Sequence, residues 1–424
     1  MSLGVFIAVV VLLLAAIIIK PKIWKISTYI IPPIIGVIVL IIAQEISFEQ
    51  IYQSLFNNPL ISPLKILVLF LAMTLISTIC DCLGIFKFIA LKTVKWCKNS
   101  QFSLFTVLYF LISILTIFTS NDIIILTFTP FIIYLCRKIN VSPIPYLVGE
   151  FVAANTASMM LVVGNPTNIL IATSFGITFL EYLSHMWYVA LAAIVLLYGL
   201  LILVFYRKIK DPIVLDLEEE EVKLSRLPSI AAIVHLIVTT ILLAISNYIN
   251  LEMYLITAVM AGSLLIFMLI YVLVSKNEKS VFKDSFSRLP YSVIPFLICM
   301  FIIVECLNLH GYIEQIADVL NKIEPVYSYG VTSFLACNFM NNIPMSLLYS
   351  NILTYSSGGK EVYAAIIGSN LGAYLTPLGA LAGIMWLTIL KGFDVKFSFL
   401  DFMKYGAMFA IPTLLLSITL LFLI

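Results

Sequence analysis

Charged residues are scarce in this sequence. They make up 11% of its 424 residues, whereas hydrophobic residues make up 62%. A soluble domain carries about 25% charged residues, so this composition is typical of a polytopic helical membrane protein. The basic residues do not form a patch with interleaved aromatics, and nucleic-acid binding is therefore not expected. The lipid bilayer is the partner that the composition predicts, and we expect a multi-pass protein of the cell (cytoplasmic) membrane.

The sequence also lacks the common signatures of catalytic and metal-binding sites. It contains no phosphate-binding loop, no dinucleotide-binding motif and no HExxH pattern. His185, His235 and His310 are far apart in sequence, and the close pair Cys80-x-Cys82 cannot supply four metal ligands. We therefore expect a protein that is not an enzyme and that holds neither a cofactor nor a resident metal.

Apolar runs that can cross a bilayer recur along the chain. No basic residue precedes the run 2–19, as it would in a cleaved signal peptide, so we expect a retained span with its N-terminus outside. If each run crosses once, 21 of the 24 Lys and Arg residues fall in inner connections, in agreement with the positive-inside rule. The ten predicted spans are 2–19, 28–43, 65–83, 146–175, 187–205, 229–247, 253–274, 291–307, 362–390 and 402–424.

Two further apolar segments are interrupted by polar residues. Thr119-Ser120-Asn121-Asp122 lies inside 101–137, and Asn341-Asn342 lies inside 326–354. A charge at membrane depth is costly unless it is paired or hydrated, so Asp122 predicts a functional site. We expect two re-entrant hairpins, because non-helical backbone is tolerated where it is buried in protein or lines a cavity. Two full crossings at each place remain the alternative.

Two of the predicted spans carry a small polar cluster followed by a proline break. Asn155-Thr156 precedes Gly164-Asn165-Pro166-Thr167-Asn168, and Ser369-Asn370 precedes Thr376-Pro377-Leu378-Gly379. Pro removes a helix N–H and Gly permits a turn, so we expect pairs of half-helices with free backbone groups at the membrane centre. Paired interruptions of this kind indicate the binding site of a secondary transporter.

The order of these segments predicts the fold class. We expect an all-α polytopic membrane protein with about ten transmembrane helices and two re-entrant hairpins, arranged in two inverted-topology repeats. The predicted divisions are N-terminal helices at 1–62, a first repeat at 63–206, a cytoplasmic linker at 207–228, connecting helices at 229–289 and a second repeat at 290–424.

At these motifs the chain resembles the ion transporter superfamily. Within it, the chain is most similar to the ArsB-type arsenite/antimonite permeases, which are related to citrate, dicarboxylate and Na⁺/H⁺ carriers. The resemblance implies an elevator-like mechanism, often a homodimer and, in some relatives, a soluble ATPase at the cytoplasmic face. The matching stretches are Ser120-Asn121-Asp122, Leu126-Thr127-Phe128-Thr129-Pro130, Ala154-Asn155-Thr156-Ala157-Ser158, Leu161-Val162-Val163-Gly164-Asn165, Phe339-Met340-Asn341-Asn342-Ile343-Pro344, Asn370-Leu371-Gly372 and Thr376-Pro377-Leu378-Gly379-Ala380-Leu381-Ala382 with Trp386.

The chain departs from the permease pattern at three positions. ArsB-type permeases usually have an Asp where this chain has Asn155 and another where it has Asn370, and they tend to have a Lys near Tyr374. Gly164-Asn165-Pro166-Thr167-Asn168 is closer to the breaks of citrate- and dicarboxylate-transporting relatives, which often use Na⁺. The resemblance therefore leaves the coupling ion open between H⁺ and Na⁺.

Asp122 is the one acid at a hairpin tip, and we predict that it couples transport to the ion. It is neutral when protonated and can hold Na⁺ or a proton when ionised. Alternatively, it caps the helix that follows. Glu150 and Glu305 are the other acids near the membrane. We expect Glu150 at the interface and Glu305 near the outer edge, and we rank both below Asp122.

The remaining polar residues of the tips and breaks either contact the substrate or ion, or brace the broken backbone. The predicted site residues are Ser120, Asn121, Asp122, Asn155, Thr156, Gly164, Asn165, Thr167, Asn168, Asn341, Asn342, Ser369, Asn370, Thr376 and Gly379, with Na⁺ placed at Asn121, Asn155, Asn341 and Asn370 if sodium is used. The predicted function is secondary active transport of a small arsenite- or antimonite-like oxyanion or oxyacid by alternating access. The alternative is a Na⁺-coupled citrate or dicarboxylate carrier or a Na⁺/H⁺ antiporter.

Overall fold

The computed structural model describes residues 1–19, 28–56, 62–97, 100–213, 224–275, 279–356 and 359–424. These residues form twenty α-helices, and an isolated antiparallel bridge between Ser100 and Pro212 is the only β-type contact among them. The prediction of an all-helical chain is therefore confirmed for the described residues. The predicted inner connection at 20–25 and residues 214–223 of the predicted linker lie outside them.

The helices divide into two sets of ten. The first set is α1 (Ser2–Ile19), α2 (Ile31–Ile42), α3 (Phe48–Phe56), α4 (Pro63–Cys82), α5 (Ile85–Val94), α6 (Gln101–Phe118), α7 (Asn121–Lys138), α8 (Ile144–Ala157), α9 (Pro166–Ser174) and α10 (Phe179–Ile209). The second set is α11 (Arg226–Ala244), α12 (Met253–Ser275), α13 (Lys279–Ser287), α14 (Val293–Leu309), α15 (Tyr312–Leu320), α16 (Pro325–Met340), α17 (Asn342–Ile352), α18 (Lys360–Gly372), α19 (Leu381–Gly392) and α20 (Phe399–Leu423).

The two sets contain the same kinds of helix in the same order. In each, two leading helices and a nine-residue helix, α3 or α13, precede a long apolar helix, α4 or α14. That long helix is followed by a left-handed glycine, Gly84 with φ +80° or Gly311 with φ +74°, from which a short helix starts. Two arms, a broken helix and a long final helix follow. The final helices α10 and α20 both begin with a capping box.

The leading helices of each half pack against the other half. Helices α1, α2 and α3 contact α14, while α11, α12 and α13 contact α4. The second arm of each half also packs against the opposite half: α7 contacts α19, and α17 contacts α9. The leading helices of each half are therefore packed on the opposite half, and the predicted division into repeats stays a prediction.

Among the described residues, six helices are long and apolar enough to cross a membrane: α4, α6, α10, α11, α12 and α20. The pair α14–α15, bent by 81°, is a seventh if it forms one span. Large apolar side chains such as Ile237 on α11 and Ile266 on α12 are exposed, as expected of a lipid-facing surface. The chain is therefore a multi-pass membrane protein, and ten crossings remain a prediction.

The arms of the first interrupted segment are longer than a short hairpin requires. Helices α6 and α7 contain 18 residues each. Such a helix is about 27 Å long, and the apolar core of a bilayer is about 30 Å thick. Helices α16 and α17 contain 16 and 11 residues. By length α6 and α7 could each cross, but only α6 is also among the described helices apolar enough to do so, and the choice between re-entrant hairpins and full crossings stays open.

Candidate functional site

Both predicted tips are breaks between helices. Helix α7 begins at Asn121 with Ser120 in the N-cap position. Helix α17 begins at Asn342, directly after Asn341, whose φ of +74° and ψ of 153° lie in a region that non-glycine residues rarely occupy. The Oδ1 atom of Asn341 accepts a long hydrogen bond, 3.4 Å, from the Ile343 N–H. The second tip therefore combines a helix cap with backbone strain.

The first broken span is interrupted where the sequence predicts. Residues 158–165 separate α8 from α9. Asn165 Oδ1 accepts a hydrogen bond from the Thr167 N–H and so caps α9. A Cβ atom on Gly164 would lie 2.3 Å from the backbone oxygen of Ser158, which explains why glycine occupies this position.

The second broken span is fastened to the second tip. Residues 373–380 separate α18 from α19. The Asn342 N–H donates to Gly379 O at 2.9 Å, and Asn341 Nδ2 donates to Leu378 O at 3.3 Å. The tip and the break therefore form one hydrogen-bonded unit within the second half.

An amide network joins the first break to the second half. Asn370 Oδ1 accepts hydrogen bonds from Ser158 Oγ and Asn165 Nδ2, both at 3.0 Å. Asn370 Nδ2 donates to Asn168 Oδ1 at 2.6 Å and to Ile366 O at 2.9 Å. Both donors of the Asn370 amide are thus used, and its oxygen accepts from Asn165 Nδ2 and from Ser158 Oγ, whose single proton is shared with Asn155 O at 2.9 Å. In this arrangement most of the hydrogen-bonding capacity of Asn370 is used within the network.

Asn168 also braces the backbone. Its Nδ2 donates to Ser158 O at 2.8 Å and to Leu161 O at 3.1 Å, two carbonyl groups of the unwound segment, of which Leu161 O also accepts the Gly164 N–H. An unpaired buried carbonyl group is costly, so these bonds stabilise the break. The asparagines were predicted either to contact the substrate or ion or to brace the broken backbone. The hydrogen bonds of Asn168 and Asn370 fit the bracing role.

Three buried oxygens of the predicted site have no hydrogen-bond partner among the described residues: Asn121 Oδ1, Thr167 Oγ1 and Ser369 Oγ. All three adjoin the amide network. Asn121 Nδ2 donates to Asn155 Oδ1 at 3.1 Å, Thr167 follows the capped start of α9, and Ser369 precedes Asn370 in α18. Buried polar atoms are usually paired, so these three are candidates for contact with an ion or substrate.

A narrow recess lies between α4 and the first tip. Its lining includes Thr74 and Ser77 of α4, Thr119 and Ser120 of the tip, and Pro166 at the start of α9. Four of these residues carry hydroxyl groups, which can both donate and accept hydrogen bonds. The recess therefore has a mixed lining where the first break meets α4, with these four hydroxyl groups beside the apolar side chains of Phe70, Met73, Val163 and Pro166.

Asp122 lies in the first turn of α7 and is half-buried. It forms neither a hydrogen bond nor an ion pair with any residue that the structure describes. Ser120 holds the N-cap position, so Asp122 does not act as the cap. The positive end of the helix dipole favours a carboxylate in the first turn. Asp122 is therefore available to a cation or a proton.

Glu150 lies much deeper than the sequence suggested. It is 1% exposed in α8, where Oε1 accepts a hydrogen bond from Thr129 Oγ1 at 2.7 Å and Oε2 accepts one from Trp386 Nε1 at 3.2 Å. Helix α8 begins at Ile144 and packs against α6, α7 and α10, so Glu150 is buried inside the protein, while its position relative to the membrane interface stays a prediction. An acid inside a predicted span was the available signal.

Sequence reasoning missed a polar contact at the end of α4. Asp81 Oδ1 accepts a hydrogen bond from Thr127 Oγ1 at 2.7 Å, and Asp81 Oδ2 pairs with Arg288 Nη1 at 2.7 Å. These contacts connect α4, the second arm α7 and the segment that leads into α14. The three residues are distant in sequence, so no local pattern could predict the contact.

Two further residues that hold the site were also missed. Asn338 Oδ1 accepts hydrogen bonds from Thr376 N–H at 3.0 Å and from Thr376 Oγ1 at 2.7 Å. The hydroxyl of Tyr374 lies 3.2 Å from Thr156 Oγ1. The predicted residues therefore form one cluster around the first tip and first break, joined by Asn370, and another around the second tip and second break.

Comparison with known proteins gives the family and the fold of this chain. The sequence profile of the CitMHS family, described as a citrate transporter, matches residues 4–362. The chain belongs to the CitMHS family. Among the relatives of this CitMHS protein are the arsenical pump membrane proteins of Yersinia enterocolitica and Escherichia coli (strain K12). Each is 27% identical to it over 82% of this chain and 84% of its own length.

The predicted resemblance of this CitMHS protein to the ion transporter superfamily, with its ArsB-type members, is thereby confirmed. A solved structure, that of the YdaH transporter of Alcanivorax borkumensis, aligns with a TM-score of 0.55 and 15% identity over 83% of this chain and 84% of that chain. At that identity the likeness concerns the fold. The family and the fold together identify a membrane transporter.

Proposed function

We propose that this protein is a secondary active transporter that moves a small arsenite- or antimonite-like oxyacid or oxyanion across the cytoplasmic membrane by alternating access, coupled to H⁺ or Na⁺. One observation carries this proposal. The tips and breaks offer amides, hydroxyls and one unpaired acid, Asp122, and no Lys or Arg lies among these described residues. A neutral oxyacid suits groups that both donate and accept hydrogen bonds, whereas a polyanion there would lack a compensating charge.

A Na⁺-coupled citrate or dicarboxylate carrier, or a Na⁺/H⁺ antiporter, is the second candidate. The unpaired oxygens Asn121 Oδ1, Thr167 Oγ1 and Ser369 Oγ favour it, because hard cations prefer oxygen ligands. A bound Na⁺ would also supply the positive charge that a carboxylate substrate needs. The match to the citrate transporter family supports the same possibility.

We further propose that the arms and broken helices, α6–α9 and α16–α19, move against a scaffold that includes α4 and α14. The recess between α4 and the first tip supports this division, because it lies at the boundary between the two parts. The proposal includes inverted orientation of the two repeats, about ten crossings and a homodimer. A soluble ATPase at the cytoplasmic face remains an expectation from the resemblance alone.

Transport into everted membrane vesicles tests the proposal. Arsenite, antimonite, citrate and succinate are each offered with and without a pH gradient and a Na⁺ gradient. We expect accumulation of arsenite or antimonite that follows one gradient, and we expect D122N to remove that dependence. The matched control is D318N, because Asp318 is an exposed acid on α15. Na⁺-dependent uptake of citrate or succinate without arsenite uptake would establish the second candidate instead. Flux of arsenite that no gradient affects would indicate a channel.

A further inference from the structure

We propose that Glu45, Cys306 and His310 form a binding site for Zn²⁺ or a similarly soft divalent cation. One ligand atom from each residue, a carboxylate oxygen, a thiol sulfur and an imidazole nitrogen, can be chosen so that all lie within 4.8 Å of one another. The cluster joins the turn after α2 to the end of α14, away from the tips and breaks. It is therefore independent of the proposed transport site.

The two ligands on α14 are arranged for a shared metal. Cys306 and His310 are one helical turn apart, so their side chains lie on one face. His310 Nδ1 lies 2.8 Å from the Cys306 carbonyl oxygen, and Nε2 lies 3.0 Å from Glu45 Oε2. If Nδ1 donates to that carbonyl, the Nε2 lone pair is left for a metal. Histidine ligands commonly donate their second ring N–H to a carbonyl or carboxylate in this way.

The carboxylate is held in place by its own turn. Gln44 has a φ of +58°, and the Glu45 N–H donates to Leu40 O at 3.0 Å, as in a helix C-terminal cap with a left-handed residue. Glu45 Oε2 also accepts a long hydrogen bond, 3.3 Å, from the Ser2 N–H. The buried Cys306 and the exposed His310 come from the rigid end of α14. All three groups are thus close together before a metal arrives, and a metal would replace the contact of Glu45 Oε1 with the Met1 ammonium at 3.5 Å and that of the Cys306 thiol with Glu45 O at 3.6 Å.

The repeated architecture offers an internal comparison. Cys306 and His310 stand five residues and one residue before the left-handed glycine that follows α14. The same positions before Gly84, at the end of α4, are Ile79 and Leu83. The helix end and its glycine turn therefore form without polar residues there, so the thiol and imidazole are not requirements of the fold.

The ligand set defines the class of metal. Zn²⁺ accepts sulfur, nitrogen and oxygen ligands, and sites with three protein ligands leave a fourth position for water. Ca²⁺ and Mg²⁺ prefer oxygen ligands and do not suit this set. Binding would deprotonate the Cys306 thiol and release a proton. A bound ion would then connect the leading helices of the first half to α14 of the second half.

Metal titration of the purified full-length chain, tagged at its C-terminus and stripped with a chelator, tests this inference. We expect one equivalent of Zn²⁺ per chain by calorimetry, and Co²⁺ in its place should give a thiolate-to-metal charge-transfer band. C306S should abolish that band. C306S and H310A should each weaken Zn²⁺ binding at least about tenfold, since even outer-shell changes cost about 10- to 100-fold.

C299S is the matched control, because Cys299 lies two turns earlier on the same helix and outside the cluster. It should bind Zn²⁺ like the unaltered chain. Unfolding temperatures of the metal-free variants report whether each is folded, and E45Q replaces any variant that is not. Absence of binding in the unaltered chain, or unchanged binding in both C306S and H310A, would overturn the proposal. Equal loss in C299S would also contradict it.

Discussion

Replacement of Asn370 by Ala tests whether the amide network braces the break between the two halves. The substitution removes the partner of Asn165 Nδ2 and the partner of Asn168 Oδ1, both fully buried. Ser158 Oγ keeps its bond to Asn155 O. Leaving a buried polar group unpaired costs about 1–3 kcal/mol, so two such groups predict a loss of about 2–6 kcal/mol in the free energy of unfolding.

Asn351→Ala is the matched control for that measurement. Asn351 is also a buried helical asparagine, 5% exposed, and its amide donates only to Leu347 O, one turn earlier. That carbonyl keeps its backbone partner when the side chain is removed, so we expect a loss of less than about 1 kcal/mol. Both variants lose the same side-chain atoms, and their difference therefore isolates the network.

Unfolding in mixed micelles of mild detergent and SDS, followed by circular dichroism, provides the assay. We expect N370A to unfold at a clearly lower SDS fraction than N351A, with or without Na⁺. A bracing role would be refuted if the two variants unfolded together. If N370A were destabilised only when Na⁺ is present, Asn370 would be an ion ligand, and the arrangement of its hydrogen bonds would have to change during transport.

Three further substitutions can be measured in the same assay. Gly164→Ala places a methyl group against a backbone oxygen and should lower the free energy of unfolding by about 1–3 kcal/mol. Gly199→Ala, in open space on α10, is its control and should be neutral or slightly stabilising. Equal effects of the two substitutions would contradict the close packing at Gly164. D81N should lower the free energy of unfolding by about 1–3 kcal/mol. Its control, E252Q, breaks an exposed ion pair and should lower it by less than about 1 kcal/mol. A loss in E252Q as large as that in D81N would count against a stabilising contact at the end of α4. The free energy of unfolding of Asn341→Gly should lie within about 1 kcal/mol of that of the unaltered chain, because the substitution relieves backbone strain and loses only weak hydrogen bonds. Asn341→Ala should be less stable than Asn341→Gly, and the reverse order would exclude strain at the second tip.

The breaks of the fold could be predicted because their causes are local. Proline and glycine favour a helix break where they stand beside a polar cluster, as at 164–166 and 377–379, whereas Pro130 and Pro412 lie inside continuous helices. Helices end at all four predicted interruptions. The packing of α1–α3 on α14 and of α11–α13 on α4 was not visible in the sequence, because leading apolar helices carry no signal of their packing partners.

The partners within the site could not be predicted for a different reason. Asn370 and Asn165 are 205 residues apart, and Asp81 and Arg288 are 207 residues apart, so only the folded chain brings them together. The same limit applied to His310 and Glu45, because no sequence pattern indicates that they pair. Sequence reasoning could name polar residues at the breaks, but it could not say which of them use all their hydrogen bonds on one another.

Groups whose hydrogen bonds are all used within the protein respond to an ion differently from groups that have no protein partner. Glu150 is enclosed, and its two oxygens are held by Thr129 on α7 and Trp386 on α19. It therefore links the second arm of the first half to the broken helix of the second half, and its hydrogen bonds must break if these helices separate. Asp122 has no such partner among the described residues and stands half-buried at the tip. Binding of a cation or proton at Asp122 would break no hydrogen bond within the described residues, so Asp122 suits the proposed coupling role and Glu150 suits a structural link between α7 and α19.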